Sequence, residues 1–350
     1  MAKVRILSID GGGIRGILPG MIIASLEHRI QRITRDPAAR IMDFIDFVAG
    51  TSTGGIIASA LLLPGFIPGR QHYTANEVVD FYFKHGPKIF KRNLWDKVRT
   101  LGGLRDQKYS NDYLVSALND QFGEVALRDL IRPCIITGYD ITARRSRFFG
   151  KHKAMFDAAE NFLVKNVALA TASAPTYFEP ANIFNMKNEP FPMVDGGVFA
   201  NNPALCAYAE ARKLDFAGLS NHPFNDNPTY FAKPTAKDML LLSLGTGSVK
   251  KSYPYSQAKK WGAINWIRPT IDIMMSGNSE TVTHQLRQIF DAADNPDGFI
   301  RLEPELRQAN SAMDDASSEN LENLKYDALS YMYENNNAIE LIAHQLVNES

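Results

Sequence analysis

An α/β fold, a mainly parallel central sheet with helices on both faces in three layers, is predicted by three features of the sequence. Val4–Ile9, residues 44–48 and Met239–Leu244 are short runs rich in large apolar residues, the kind of strand that is buried on both faces. Each run feeds a glycine turn, at residues 10–16, 49–55 and 245–247. Helical patterns lie between them, and strands alternating with helices imply parallel pairing.

In chain order, the first strand, Val4–Ile9, ends in the loop Asp10-Gly11-Gly12-Gly13-Ile14-Arg15-Gly16. A helix over about residues 17–33 follows, tolerating Pro19 in its first turn and burying one face through Met21, Ile22, Leu26, Ile30 and Ile33. The second strand carries Phe44, Ile45, Phe47 and Val48, and the buried helix 56–63 is stopped by Pro64 and Gly65. Residues 64–108 are irregular apart from a short helix at 76–84. An amphipathic helix at 111–122, a third core strand at 132–139 and a helix at 162–172 come next. The strand 192–195 delivers Asp195 into the Gly196-Gly197 turn, and Pro203 opens a helix over 204–213. Met239–Leu244 is the last strand expected; from residue 256 the chain reads as helical, ending in one helix over about 320–347. The 350 residues show no linker, repeat or low-complexity tract, so a single domain, 1–350, is expected, with its sheet core in about 1–250 and a helical layer in about 251–350.

The turn Gly50-Thr-Ser52-Thr-Gly54 is a G-x-S-x-G sequence between a strand and a helix. Such a turn strains the serine and exposes its hydroxyl, while glycines at the flanks let neighbouring backbone approach. The helix behind it turns amides and the positive end of its dipole toward developing negative charge. A small-residue loop that merely reverses the chain is the plain alternative. Gly11, Gly13 and Gly16 satisfy G-x-G-x-x-G, but the acidic residue that a dinucleotide site needs at the end of the second strand is absent, for that strand runs into Ala49-Gly50-Thr51-Ser52. Consecutive glycine amides can instead hold an oxyanion. An α/β-hydrolase order would draw the base from His222, His284 or His344, none of which stands in a glycine-rich loop after an apolar strand. Asp195 does, and an aspartate whose pKa is raised by burial can deprotonate a serine, although an Asp-Gly turn needs no chemistry to explain it.

Lysine plus arginine equals aspartate plus glutamate at 38 each, which gives no electrostatic case for nucleic acid. Two cysteines, Cys134 and Cys206, stand in apolar surroundings and offer neither a disulfide framework nor metal-ligand spacing. The N-terminus enters a strand without a signal-peptide pattern, and the apolar runs fall short of the ~20 residues of a spanning helix, so a cytoplasmic protein touching membranes only peripherally is expected. Residues 88–101 mix Phe90, Leu94 and Trp95 with Lys88, Lys91, Arg92, Lys97 and Arg99, which fits either contact with a lipid interface or an anchored surface loop. Arg15, two residues past the glycine run, fits a lipid phosphate contact or a charge at a helix start.

Taken together, the Asp10–Gly16 loop, the Gly50–Gly55 elbow and the Asp195-Gly196-Gly197 turn, in that order, resemble the patatin-like phospholipases, plant patatins in particular. The likeness extends to residues 81–90, 173–178, 239–247 and 313–317, and so to nearly the whole chain. The resemblance implies a Ser52–Asp195 dyad without histidine, an oxyanion hole from Gly11, Gly12 and Gly13, and an acyl hydrolase needing no metal or cofactor. Its substrates would be membrane or micellar glycerolipids: phospholipid, lysophospholipid or galactolipid. A catalytically silent lipid- or nucleotide-binding module that keeps the glycine loops is the rival. Plant patatins carry a signal peptide and this sequence begins without one, so their compartment does not carry over.

Overall fold

The computed structural model describes residues 3–91, 109–216, 232–248 and 252–348. Its centre is an eight-stranded sheet. Strand β1 (Val4–Ile9) runs parallel to β2 (Phe47–Gly50) on one side and to β7 (Met239–Leu244) on the other. Beyond β2 lies β3 (Cys134–Asp140), and beyond β7 lies β8 (Phe299–Leu302), both parallel to their neighbours. Three antiparallel strands complete the sheet: β4 (Arg145–Phe149) and β6 (Pro190–Asp195) on β3, and β5 (Ala181–Phe184) on β6. The sheet is thus mixed but mostly parallel in its middle.

Alternating side chains of β1 divide the core in two. Leu7 and Ile9 belong to the larger cluster, with Ile22, Leu26 and Ile30 of helix α1 (Ile17–Thr34) and Ile57 and Leu61 of α2 (Thr53–Leu61). Val4 and Ile6 face the opposite layer, where they meet Ala204, Ala207 and Tyr208 of helix α6 (Ala204–Ala211) and Leu286 and Phe290 of α7 (Ala263–Ala292). Period-two strands with both faces apolar therefore require helices on both sides, and they have them. Helix α3 (Ala75–Ile89) begins with a capping box, Glu77 N–H donating to Thr74 Oγ1 and Thr74 N–H to Glu77 Oε2, and packs on α1. Helices α4 (Asp112–Phe122) and α5 (Val164–Ala172) pack together, while α8 (Ser318–Glu334) and α9 (Asn336–Asn348) cover α1.

Several boundaries differ from the sequence expectation. The helix expected at 76–84 runs on to Ile89, so Lys88 and Ile89 close α3 instead of opening a loop, and residues 92–101 of the basic aromatic segment lie outside the described residues. The terminal helix is two helices, parted at Asn335 in a run of asparagines, which are poor helix formers. The helical layer also contains β8, which extends the sheet past residue 250. No described helix is long and apolar enough to cross a membrane.

Candidate active site

The register of β3 explains how two distant segments meet. Ile136 pairs with Gly50 and with Phe149, and Gly138 pairs with Asp195 and with Arg147. A residue has one neighbour on each edge, so β2 and β6 share the edge of β3 that faces away from β4. They run in opposite directions along it and their C-terminal ends meet head to head, separated only by the level of Thr137. Thr137 fills the gap: its hydroxyl is 2.7 Å from that of Thr51, which donates in turn to Ala200 O at 2.6 Å.

Ser52 stands where β2 turns into α2, with φ 55° and ψ −124°. This left-handed conformation is rare for a residue with a side chain and is held from outside, since the Ser52 N–H donates to Thr171 Oγ1 of α5 at 2.9 Å. Gly54 permits the turn, for a Cβ there would lie 2.2 Å from Ile9 O. Opposite, Asp195 is 4% exposed, and its backbone is fixed by a bond from its N–H to Ser173 O at 2.9 Å. Its Oδ1 accepts the Gly197 N–H at 2.7 Å, and the Ser52 hydroxyl lies close enough to the same carboxylate to favour its charged form. Burial pushes the Asp195 pKa up to about 7, while the nearby Ser52 hydroxyl and the Gly197 N–H pull it down. Of the histidines weighed as bases, His284 is exposed, His344 is 47% exposed beside Glu340, and His222 lies outside the described residues.

The glycine loop lies against the same site. Gly13 has φ 60°, and a Cβ on it would stand 2.2 Å from Met313 O, so both conformation and space demand glycine. The amides of Gly12 and Gly13 have no partner among the described residues, and both residues line the cavity in front of Ser52. Gly11 differs from expectation. Its N–H already donates to Asn201 O at 3.0 Å, its carbonyl accepts from Thr246 Oγ1 at 2.7 Å, and it does not line the cavity. Thr53, the first residue of the helix expected to turn its amides toward the site, lines the cavity, and its amide has no partner among the described residues. Behind the loop, Asp10 takes two bonds from Arg301 of β8, at 2.6 and 3.0 Å, and Arg301 also reaches Ser243, Ser279 and Glu303. The charges of Asp10 and Glu303 raise the arginine's pKa despite its burial.

In front of these groups opens an apolar cavity of about 180 Å³. Phe81, Tyr82, Ile89 and Phe90 line one wall, Pro175, Tyr177 and Phe178 another, and Ile271, Met274 and Met275 of α7 a third. Arg15 is half-buried beside the glycine loop and does not line the cavity; it donates from Nε to Gly12 O at 3.4 Å and forms no ion pair among the described residues. Burial lowers its pKa, against the charges of Glu303 and Asp272. Among the described residues no three His, Cys, Asp or Glu side chains gather closely enough to hold a metal ion.

The family model of the patatin-like phospholipases matches residues 7–208, a span that contains the glycine loop, the serine elbow and the Asp195 turn. The chain belongs to the patatin-like phospholipase family. Patatin-like protein 4 of Arabidopsis thaliana is 34% identical to it over 334 residues, covering 92% of this chain and 81% of the relative. Patatin-like protein 2 of Oryza sativa is 34% identical over 337 residues, and Patatin-08 of Solanum tuberosum 33% over 333, each again covering 92% of this chain and 82% and 81% of its own. Among solved structures, VipD from Legionella pneumophila aligns over 95% of this chain and 67% of that one at 13% identity, with a TM-score of 0.37, too low to carry an argument. A patatin-like chain is one of a family of lipid acyl hydrolases, and the three-layer α/β architecture agrees with that membership.

Proposed function

We propose that this patatin-like protein hydrolyses fatty acyl esters of glycerolipids with a Ser52–Asp195 dyad. The observation that carries this is one juxtaposition: a strained serine and a buried carboxylate line the same cavity, and the carboxylate's pKa, about 7, suits a general base at neutral pH. Asp195 takes the proton as Ser52 Oγ attacks the ester carbonyl. The Gly12 and Gly13 amides, with that of Thr53, stabilise the oxyanion; Gly11, its amide engaged elsewhere, supports the loop. Collapse of the tetrahedral intermediate breaks the bond to the alcohol, which leaves with the proton from Asp195. Water, deprotonated by Asp195, then attacks the acyl-enzyme and releases fatty acid and Ser52. The apolar cavity suits the acyl chain, and Arg15 is available to a headgroup phosphate.

The test is hydrolysis of a p-nitrophenyl acyl ester by Ser52→Ala, Asp195→Asn and the double variant. Each single change should abolish turnover in folded protein, with the double no worse, because the two groups act as a unit. Substantial activity in folded Ser52→Ala would remove the serine from the mechanism.

A further inference from the structure

Helix α7 (Ala263–Ala292) is anchored over only part of its length. Val282, Leu286 and Phe290 are buried at spacings of four, which seats the second half on the sheet. The anchoring begins at Asn278, which accepts from Asn202 N–H at 3.1 Å and donates to Phe199 O at 3.2 Å, and at Ser279, which accepts from Arg301 at 3.0 Å. Upstream, between residues 263 and 277, no described side chain is buried. Gly277 marks the change: a Cβ there would meet nothing within 4 Å, so packing does not call for glycine, and its presence loosens the helix between the two halves.

The unanchored half is nevertheless apolar. Trp266, Ile273 and Met274 are 39%, 48% and 55% exposed. Trp266 packs edge-on against Trp261 at 5.0 Å, and Trp261 against Tyr253 at 5.5 Å; Tyr255, two residues after Tyr253, is 81% exposed. Met274 also lines the catalytic cavity, as does Val198, itself 37% exposed, so exposed surface and cavity wall are continuous. Over residues 252–278 the sequence has Lys259, Lys260 and Arg268 against one acid, Asp272, whose carboxylate accepts from the Tyr253 hydroxyl at 2.8 Å.

We propose that the first half of α7, with the aromatic cluster before it, is the face on which the protein docks to an anionic lipid surface, so that the cavity mouth opens onto the lipid. The inference rests on the reading of the site as an acyl hydrolase. A cavity wall that is also exposed must be covered by whatever delivers the acyl chain. Tyrosine and tryptophan favour the boundary between water and lipid, and the basic excess is drawn to anionic headgroups.

The test uses vesicles of ether-linked phosphatidylcholine and phosphatidylglycerol, which contain no acyl ester to cleave. The unaltered protein should sediment with them, and the variant carrying Ile273→Asp and Tyr255→Asp should partition at least about tenfold more weakly. Its hydrolysis of a soluble short-chain ester should stay within about twofold, which also reports that it has folded. Brominated lipid should quench the tryptophan fluorescence of the unaltered protein more than that of Trp266→Phe, a comparison that needs no disruptive variant. Unchanged partition of the double variant, or equal quenching of both proteins, overturns the proposal. Loss of self-association in sedimentation velocity with vesicle binding intact overturns it too, and assigns the face to a second copy of the chain. Because ether lipid is not turned over, binding can fail while ester hydrolysis persists, and the reverse, so failure of the docking face and failure of the hydrolase reading are separately visible.

Discussion

Replacing Asp195 with asparagine should destroy catalysis and stabilise the protein, and the stabilisation should depend on pH. The carboxylate is 4% exposed and its pKa stands at about 7 against 3.8 when free, so between those values the folded protein holds a proton that the unfolded chain has released. With an acid whose folded pKa is raised, stability falls as pH rises from the unfolded to the folded value and is flat above it. Three units correspond to a cost of about 4 kcal/mol for the ionised form, an upper bound because neighbours relax and water penetrates. Asparagine keeps the shape and can still accept from Gly197, but it carries no charge, so its advantage over aspartate grows across the same window. Between about pH 5.5 and about pH 8, roughly half of that window, the gain from Asp195→Asn should increase by up to about 2 kcal/mol. Urea denaturation of both proteins at the two pH values measures it, as a midpoint difference larger at the higher pH with equal slopes. A gain that is the same at both, or a variant less stable at the higher pH, would refute the claim that burial raises this carboxylate.

Arg15→Ala should slow turnover of phospholipid much more than of a neutral ester if the guanidinium meets a phosphate; equal losses would assign it to support of the Gly12 carbonyl it bonds. EDTA should leave the rate unchanged, and alanine at His222, His284 or His344 should cost far less than Ser52→Ala, a large loss at any one of them restoring a histidine base. Thr171→Val removes the acceptor of the Ser52 amide, so kcat should fall at least about tenfold with little change in KM, and equal effects on both would mean that Thr171 shapes binding instead.

Ser52, Asp195 and the glycine loop can be picked out in one dimension because each stands where an apolar run stops at small residues. The supports cannot, because they come from far away. Thr171 reaches Ser52 across 119 residues and Arg301 reaches Asp10 across 291. Strand β8 is hidden by that same arginine, which breaks the apolar run Phe-Ile-Arg-Leu and is tolerable in the sheet only because Asp10 neutralises it. Strand β4 is hidden by Arg145 and Arg147, the latter lying over the Phe191 ring at 4.3 Å. The antiparallel course of β6 leaves no periodic mark, yet it brings Asp195 to the end of β2. Gly11 reads like its two neighbours until the bond from its amide to Asn201 sets it apart.

The central claim, that Ser52 is the nucleophile and Asp195 its base, is tested most directly by mapping the adduct of a long-chain alkyl fluorophosphonate, which captures an activated serine as a stable ester. Peptide mass spectrometry should find the label on Ser52 in the unaltered protein. Labelling should rise with pH through about 7 as Asp195 ionises and be nearly absent in Asp195→Asn. A label on another residue, or on Ser52 at an undiminished rate in Asp195→Asn, would contradict it.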